Sequence, residues 1–86
     1  MAFRVEFLPS AERAFWKLTP EVRNRLRPRL DALAEVPRPP GSKKLVGEDR
    51  WRIRVGDWRI VYQVDDDRLV VLVVRVGHRG DIYRGR

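Results

Sequence analysis

The amino-acid sequence predicts an α+β fold: an N-terminal strand, an αα-hairpin and a three-stranded antiparallel meander, with the helices on one face of the sheet. Three observations predict it. Phe3, Val5 and Phe7 alternate with Arg4 and Glu6, and the same period of two returns in Trp51-Arg52-Ile53-Arg54-Val55 and again after Gly56-Asp57. Between these strands, apolar residues fall at helical spacing in two consecutive stretches, each with its own start signal. The run from Leu69 to Val76 is rich in valine, as suits a strand covered on both faces and lying at the sheet centre. At 86 residues the chain has room for one core, so residues 1–86 form a single domain.

Each element has a local cause. Pro9-Ser10 stops the first strand, and Ser10 is expected to cap a helix whose apolar positions are Ala11, Ala14, Phe15 and Leu18. Thr19-Pro20-Glu21 supplies a cap, a first-turn proline and a first-turn acid for a second helix, buried along Val22, Leu26, Leu30 and Leu33. Pro28 lies inside that pattern and is expected either to bend the helix or to remove a hydrogen bond locally. Pro37-Arg38-Pro39-Pro40-Gly41-Ser42 cannot continue a helix and forms a loop that ends at Lys43 and Lys44. With Gly56-Asp57 as the turn of a β-hairpin, Trp51, Ile53, Val55, Ile60, Tyr62 and Val64 share the face that receives the helices. Asp65-Asp66-Asp67 makes the next turn, and Gly77 and Gly80 punctuate a tail carrying His78, Arg79, Asp81 and Tyr83.

Composition narrows the function. The chain is 43% hydrophobic and 36% charged, patterned like a folded domain, and its formal charge of +7 implies a polyanionic partner. There is no cysteine, which excludes a disulfide framework and a Cys-based metal site and suits a reducing, cytoplasmic setting. Alternating charge after Met1 argues against an apolar signal region, and no stretch reaches membrane-spanning length. Arginine far outnumbers lysine, which suits bidentate phosphate contact but also follows from codon usage or adaptation to heat.

The candidate site is a group of arginines. The two-residue turn sets Arg54 directly opposite Arg59, with Arg52 two positions along the same face. Like charges across a strand pair are destabilising, and an anion such as phosphate would relieve them. The simpler alternative is a solvated outer face. Arg79 and Tyr83 follow a strand antiparallel to the one carrying Arg59 and are expected near the same end; Tyr83 either seals the core or stacks on an unpaired base. His78, the only histidine, is either a surface turn residue or a proton carrier, with Arg79 favouring its neutral form. Lys43 and Lys44 add phosphate-binding charge, while Glu48 and Asp49 are either solvated or substitute bases. A metal site is not expected, because one histidine without cysteines makes a poor ligand set.

Taken together, the first strand, the helical hairpin, Leu45-Val46-Gly47, the hairpin WRIRVGDWRIVYQV and the closing VGHRGDIY resemble the RelE/ParE superfamily of type II toxin–antitoxin toxins, and look most like its RelE branch. The resemblance covers nearly the whole chain. It implies a small, cofactor-free, metal-independent endoribonuclease that enters the ribosomal A site, cleaves mRNA and stops translation. It also implies a RelB-like antitoxin with an acidic segment, through which alone operator DNA is reached. By this similarity Arg59 holds the scissile phosphate, Arg79 stabilises the charge of the transition state, and Tyr83 orients or stacks on the nucleotide. Some members carry lysines at the positions of Arg52 and Arg54, one of them assigned to proton transfer; arginine keeps the charge but does not deprotonate in proteins. Proton transfer then falls to His78 as the best candidate. The alternatives are a ParE-like toxin that binds DNA gyrase without catalysis, and an inactive antitoxin-binding corepressor.

Overall fold

The computed structural model describes residues 2–78. Strand β1 (Arg4–Phe7) leads into helices α1 (Pro9–Trp16) and α2 (Pro20–Ala32), followed by β2 (Lys43–Lys44), β3 (Trp51–Val55), β4 (Trp58–Asp65) and β5 (Val70–His78). The strands form one sheet in the order β1-β5-β4-β3-β2. The meander β3-β4-β5 is antiparallel as expected, and β1 joins β5 in parallel. Three details differ from the sequence reading, the first being that β5 runs on through Gly77 to His78, which were read as part of a turning tail. Lys43-Lys44 forms a short fifth strand against Arg52 and Trp51, and the central strand is β4, with β5 between it and β1.

The helical hairpin starts and stops for identifiable reasons. The Thr19 hydroxyl accepts from the Val22 N–H at 3.3 Å, with Pro20 at the first helical position. Helix α1 begins two residues earlier than expected: Pro9 opens it, Leu8 occupies the cap without a side-chain hydrogen bond, and Ser10 lies inside the first turn. Pro9 has a helical φ already set and no N–H of its own to leave unpaired, which favours it at the first helical position. Arg23 clamps the link between the helices by donating to the Trp16 and Leu18 carbonyls while its guanidinium lies 5.2 Å from the Trp16 ring. Pro28 sits on an exposed position of α2, and the helix continues through it.

One core joins the layers. Ala11, Phe15, Leu26, Leu30 and Leu33 from the helical layer pack on Ile53, Val55, Ile60, Tyr62, Val71, Val73 and Val76 from the sheet. Each fully buried leucine or isoleucine contributes roughly 1.5–3 kcal/mol of burial free energy. Tyr62 is fully buried and donates its hydroxyl to the Pro37 carbonyl at 2.7 Å, tying the proline-rich loop to the sheet. Burial pushes the Tyr62 phenol up to about 12, against the opposing influences of a Ser42 hydrogen bond and the Arg38 charge.

The opposite face of the sheet carries only a small apolar cluster, in which Val61 and Val74 are covered by Leu45 and Leu72. A β-bulge between Val61 and Tyr62 creates this division: Val61 pairs with Arg75, whereas Tyr62 pairs with Val73. The extra residue, Val74, shifts the alternation of β5, so that Val76 and Val73 both face the helices and Arg75 faces away.

Candidate nucleic-acid interface

The site is built on the turn between β3 and β4. Gly56 has a φ of 62° and Asp57 has no positive φ, the placement a type II′ turn requires with glycine first. Val55 then pairs with Trp58, and Arg54 faces Arg59. In a two-residue hairpin the pair flanking the turn, Val55–Trp58, is the hydrogen-bonded one and the next, Arg54–Arg59, is not, the geometry that brings opposed side chains closest. The like-charge pair expected from the sequence is therefore present in its most crowded register.

Strand pairing extends the row sideways. Lys43 pairs with Arg52, Arg52 with Val61, and Val61 with Arg75, so these four residues cross the open face together. Arg75 is a member that sequence reasoning missed. It sits in the valine run read as covered on both faces, and only the bulge reveals which of its residues point outward. Lys44 is separated from Lys43, since it pairs with Trp51 and belongs by alternation to the helix-side face.

Arg59 has an unusual setting. Among the described residues its buried Nε has no hydrogen-bond partner, and its Nη1 makes long contacts to its own turn, 3.5 Å to the Gly56 carbonyl and 3.4 Å to the Trp58 carbonyl. Neither Arg54 nor Arg59 forms an ion pair with a carboxylate among the described residues. The charge-bearing edge of Arg59 is thus held by weak bonds that a phosphate oxygen can replace with shorter, charge-assisted ones.

His78 lies elsewhere. It pairs with Trp58, and its ring packs edge-on against the Trp58 indole at 5.3 Å. Since Gly77 is the partner of Arg59, alternation places His78 on the helix-side face, away from Arg54 and Arg59. Arg79 and Tyr83 lie outside the described residues. Glu48 pairs with Arg50 at 3.7 Å, and Asp49 lines a cavity of about 620 Å³ at the far, acidic end of the sheet, so neither joins the arginines. Among the described residues no group of three or more His, Cys, Asp or Glu side chains is arranged to hold a metal.

Known proteins resemble this chain in sequence and in fold. The family described as "ParE toxin of type II toxin-antitoxin system, parDE" matches residues 5–83. The mRNA interferase toxin RelE of Escherichia coli is 35% identical over 96% of this chain and 92% of its own length. Toxin RelG of Mycobacterium tuberculosis is 33% identical over 98% of this chain and 99% of its own. Among solved structures, the toxin–antitoxin complex RelBE2 of M. tuberculosis superposes with a TM-score of 0.81 at 28% identity, covering 92% of this chain and all (100%) of the other. The intact RelBE complex of E. coli gives a TM-score of 0.80 at 35% identity, covering 90% of this chain and 96% of that one. In sequence over nearly its full length and in fold, the chain belongs to the RelE/ParE superfamily of type II toxin–antitoxin toxins and is RelE-like within it.

Proposed function

We propose that this chain is the toxin of a type II toxin–antitoxin pair and acts as an mRNA endoribonuclease that cuts message engaged by the ribosome. The observation that carries the reading is the Arg54–Arg59 pair, directly opposed across the hairpin and without a carboxylate partner among the described residues. The naming of full-length relatives as mRNA interferases supports it.

In the proposed reaction the substrate's 2′-hydroxyl oxygen attacks the adjacent phosphorus, the bond to the 5′-oxygen breaks, and the products carry a 2′,3′-cyclic phosphate and a 5′-hydroxyl. No metal enters this scheme. Charge builds on the phosphoryl oxygens in the pentavalent transition state, and fixed guanidiniums stabilise it without having to reorganise. Arg59 holds the scissile phosphate, Arg52 and Arg54 with Lys43 hold its neighbours, Arg79 meets the developing charge and Tyr83 stacks on the nucleotide. The proton leaving the 2′-hydroxyl needs an acceptor that arginine cannot provide. His78 is the candidate by residue type, although in the described register it would have to reach around the sheet from the Trp58 side.

The partner we propose is an antitoxin with an acidic segment lying on the arginine face, through which the pair would reach operator DNA. Solved relatives crystallised with RelB antitoxins support this. The profile bearing the ParE name keeps a gyrase-binding alternative in view, and one assay separates the two. Cell-free translation of one defined mRNA, with primer extension to map its 5′ ends, is expected to show cleavage on ribosome-engaged message that Arg59→Ala abolishes. Intact message with normal translation would reject the nuclease reading. A His78→Ala enzyme with an unchanged pH–rate profile would remove histidine from proton transfer.

A further inference from the structure

Gly56 has a second neighbour besides Arg59. A Cβ added there would stand 2.7 Å from Nη2 and 3.8 Å from Cζ of Arg25, so the α2 guanidinium is pressed against the bare Cα of the turn. Arg25 comes from the helical layer and Arg59 from the sheet, and both touch this one glycine, Arg59 at its carbonyl. Arg25 is exposed and makes no ion pair or hydrogen bond with another described residue, although the turn also contains Asp57. The guanidiniums of Arg25 and Arg59 therefore both reach the hairpin tip, one from each layer of the fold, and Arg54 stands opposite Arg59 in the strand register.

We infer that Arg25 is a phosphate-binding residue for the single-stranded RNA substrate. It takes a phosphate beyond the one at Arg59, so that the RNA backbone leaves the open face of the sheet around the hairpin tip toward α2. This rests on the RNA-cleaving function proposed above. Gly56 is then doubly constrained, by the positive φ of the turn and by the approach of Arg25. A binding contact away from the reacting atoms acts on ground and transition states alike, so Arg25 governs affinity rather than the limiting rate.

The test uses the full chain and a short fluorescent single-stranded 2′-O-methyl RNA, which cannot be cleaved, with anisotropy titrations over a range of salt. Arg25→Gln is expected to weaken binding about fivefold at 0.1 M salt and to lower the slope of log K against log salt by about 0.7, the value for one phosphate on a single strand. Arg25→Lys keeps most of that slope. Arg68→Gln, at the opposite end of the sheet, leaves it unchanged. The inference is overturned if Arg25→Gln binds with wild-type slope, if it lowers affinity only together with the unfolding midpoint, or if Arg68→Gln has the same effect. Should Arg25→Gln bind like wild type while Arg59→Ala abolishes message cleavage, this inference falls and the nuclease stands. A reduced slope in a chain that leaves message intact would mean the reverse.

Discussion

The two ends of β4 treat arginine in opposite ways. Near Asp65 each nearby cation has a carboxylate: Arg68 lies 3.9 Å from Asp65, Arg38 reaches Asp66 through contacts of 2.8 and 3.2 Å, and on β1, across β5, Arg4 meets Glu6 at 3.1 Å. At the start of the same strand, Arg59 faces Arg54 and Arg25 presses on Gly56, with no carboxylate paired to any of them among the described residues. A sheet that neutralises its arginines at one end could do so at the other. The unpaired set instead leaves like charges opposed in the free protein at some cost in stability, which supports the anionic ligand proposed above.

The contrast predicts that the ends differ most in activity. Arg59→Ala should lower cleavage of ribosome-bound message by about 10²- to 10³-fold, the usual loss when one preorganised donor to a transition state is removed. Its urea midpoint should stay level or rise, since a repulsion disappears with the side chain. Arg38→Ala, in the acidic half, should cleave at the wild-type rate. Equal losses from both substitutions would break the comparison.

Tyr62, near the middle of β4, is the next largest expected effect. Its buried hydroxyl donates to the Pro37 carbonyl and so fixes the loop that carries Arg38 toward Asp66 and over the Trp51 ring at 5.4 Å. With its pKa raised to about 12, from the ordinary tyrosine range, the folded chain holds this proton more tightly than the unfolded chain does. The associated stability is complete below the unfolded pKa of about 10 and is lost as pH rises from there toward the folded value, on the order of 2 kcal/mol. Tyr62→Phe should cost about 1 kcal/mol near neutrality and remove that alkaline fall. A denaturant series at rising pH, comparing the two proteins, checks both points.

A smaller change should move stability and activity in opposite directions. Arg54→Glu sets a carboxylate directly across from Arg59 and should stabilise the hairpin by about 0.2–1 kcal/mol while suppressing cleavage. Thermal unfolding alongside the translation assay reads both. A destabilised Arg54→Glu protein would show that the like-charge pair carries no strain.

How much of this was legible beforehand varied with the range of the interaction. The hairpin register was readable because Gly56-Asp57 fixes it locally, and with it came the Arg54–Arg59 opposition. Thr19-Pro20 announced α2 for the same local reason. What escaped depends on pairing between distant segments. The Val74 bulge, which turns Arg75 outward, leaves no mark in a run of valines, and Lys43-Lys44 is too short a strand to show a period. His78 was grouped with the arginines by its closeness to Arg79 in sequence, yet alternation from Gly77 carries it to the Trp58 side. The contact of Arg25 with Gly56 joins a helix to a turn across the domain, and no local pattern foretells it.

The smallest expected effect tests the acidic end by itself. The Arg38–Asp66 pair is solvent-exposed, with 38% and 60% of the two side chains accessible, and exposed pairs contribute little because water and salt screen them. The Arg38 hydrogen bond holds the Asp66 carboxyl below its usual range, so its contribution is present above the ordinary carboxylate pKa and fades as pH falls through the lowered value. Asp66→Asn should therefore flatten only the acidic limb of the stability profile and leave cleavage untouched. Raising salt at neutral pH should raise the unfolding midpoint of both proteins slightly, because screening relieves the opposed arginines at the tip. RNA binding at the hairpin tip should weaken steeply over the same range, because each phosphate contact there releases counterions. If salt instead lowered the unfolding midpoint as it weakened binding, the arginines at the tip would be stabilising the fold and would not be reserved for a ligand.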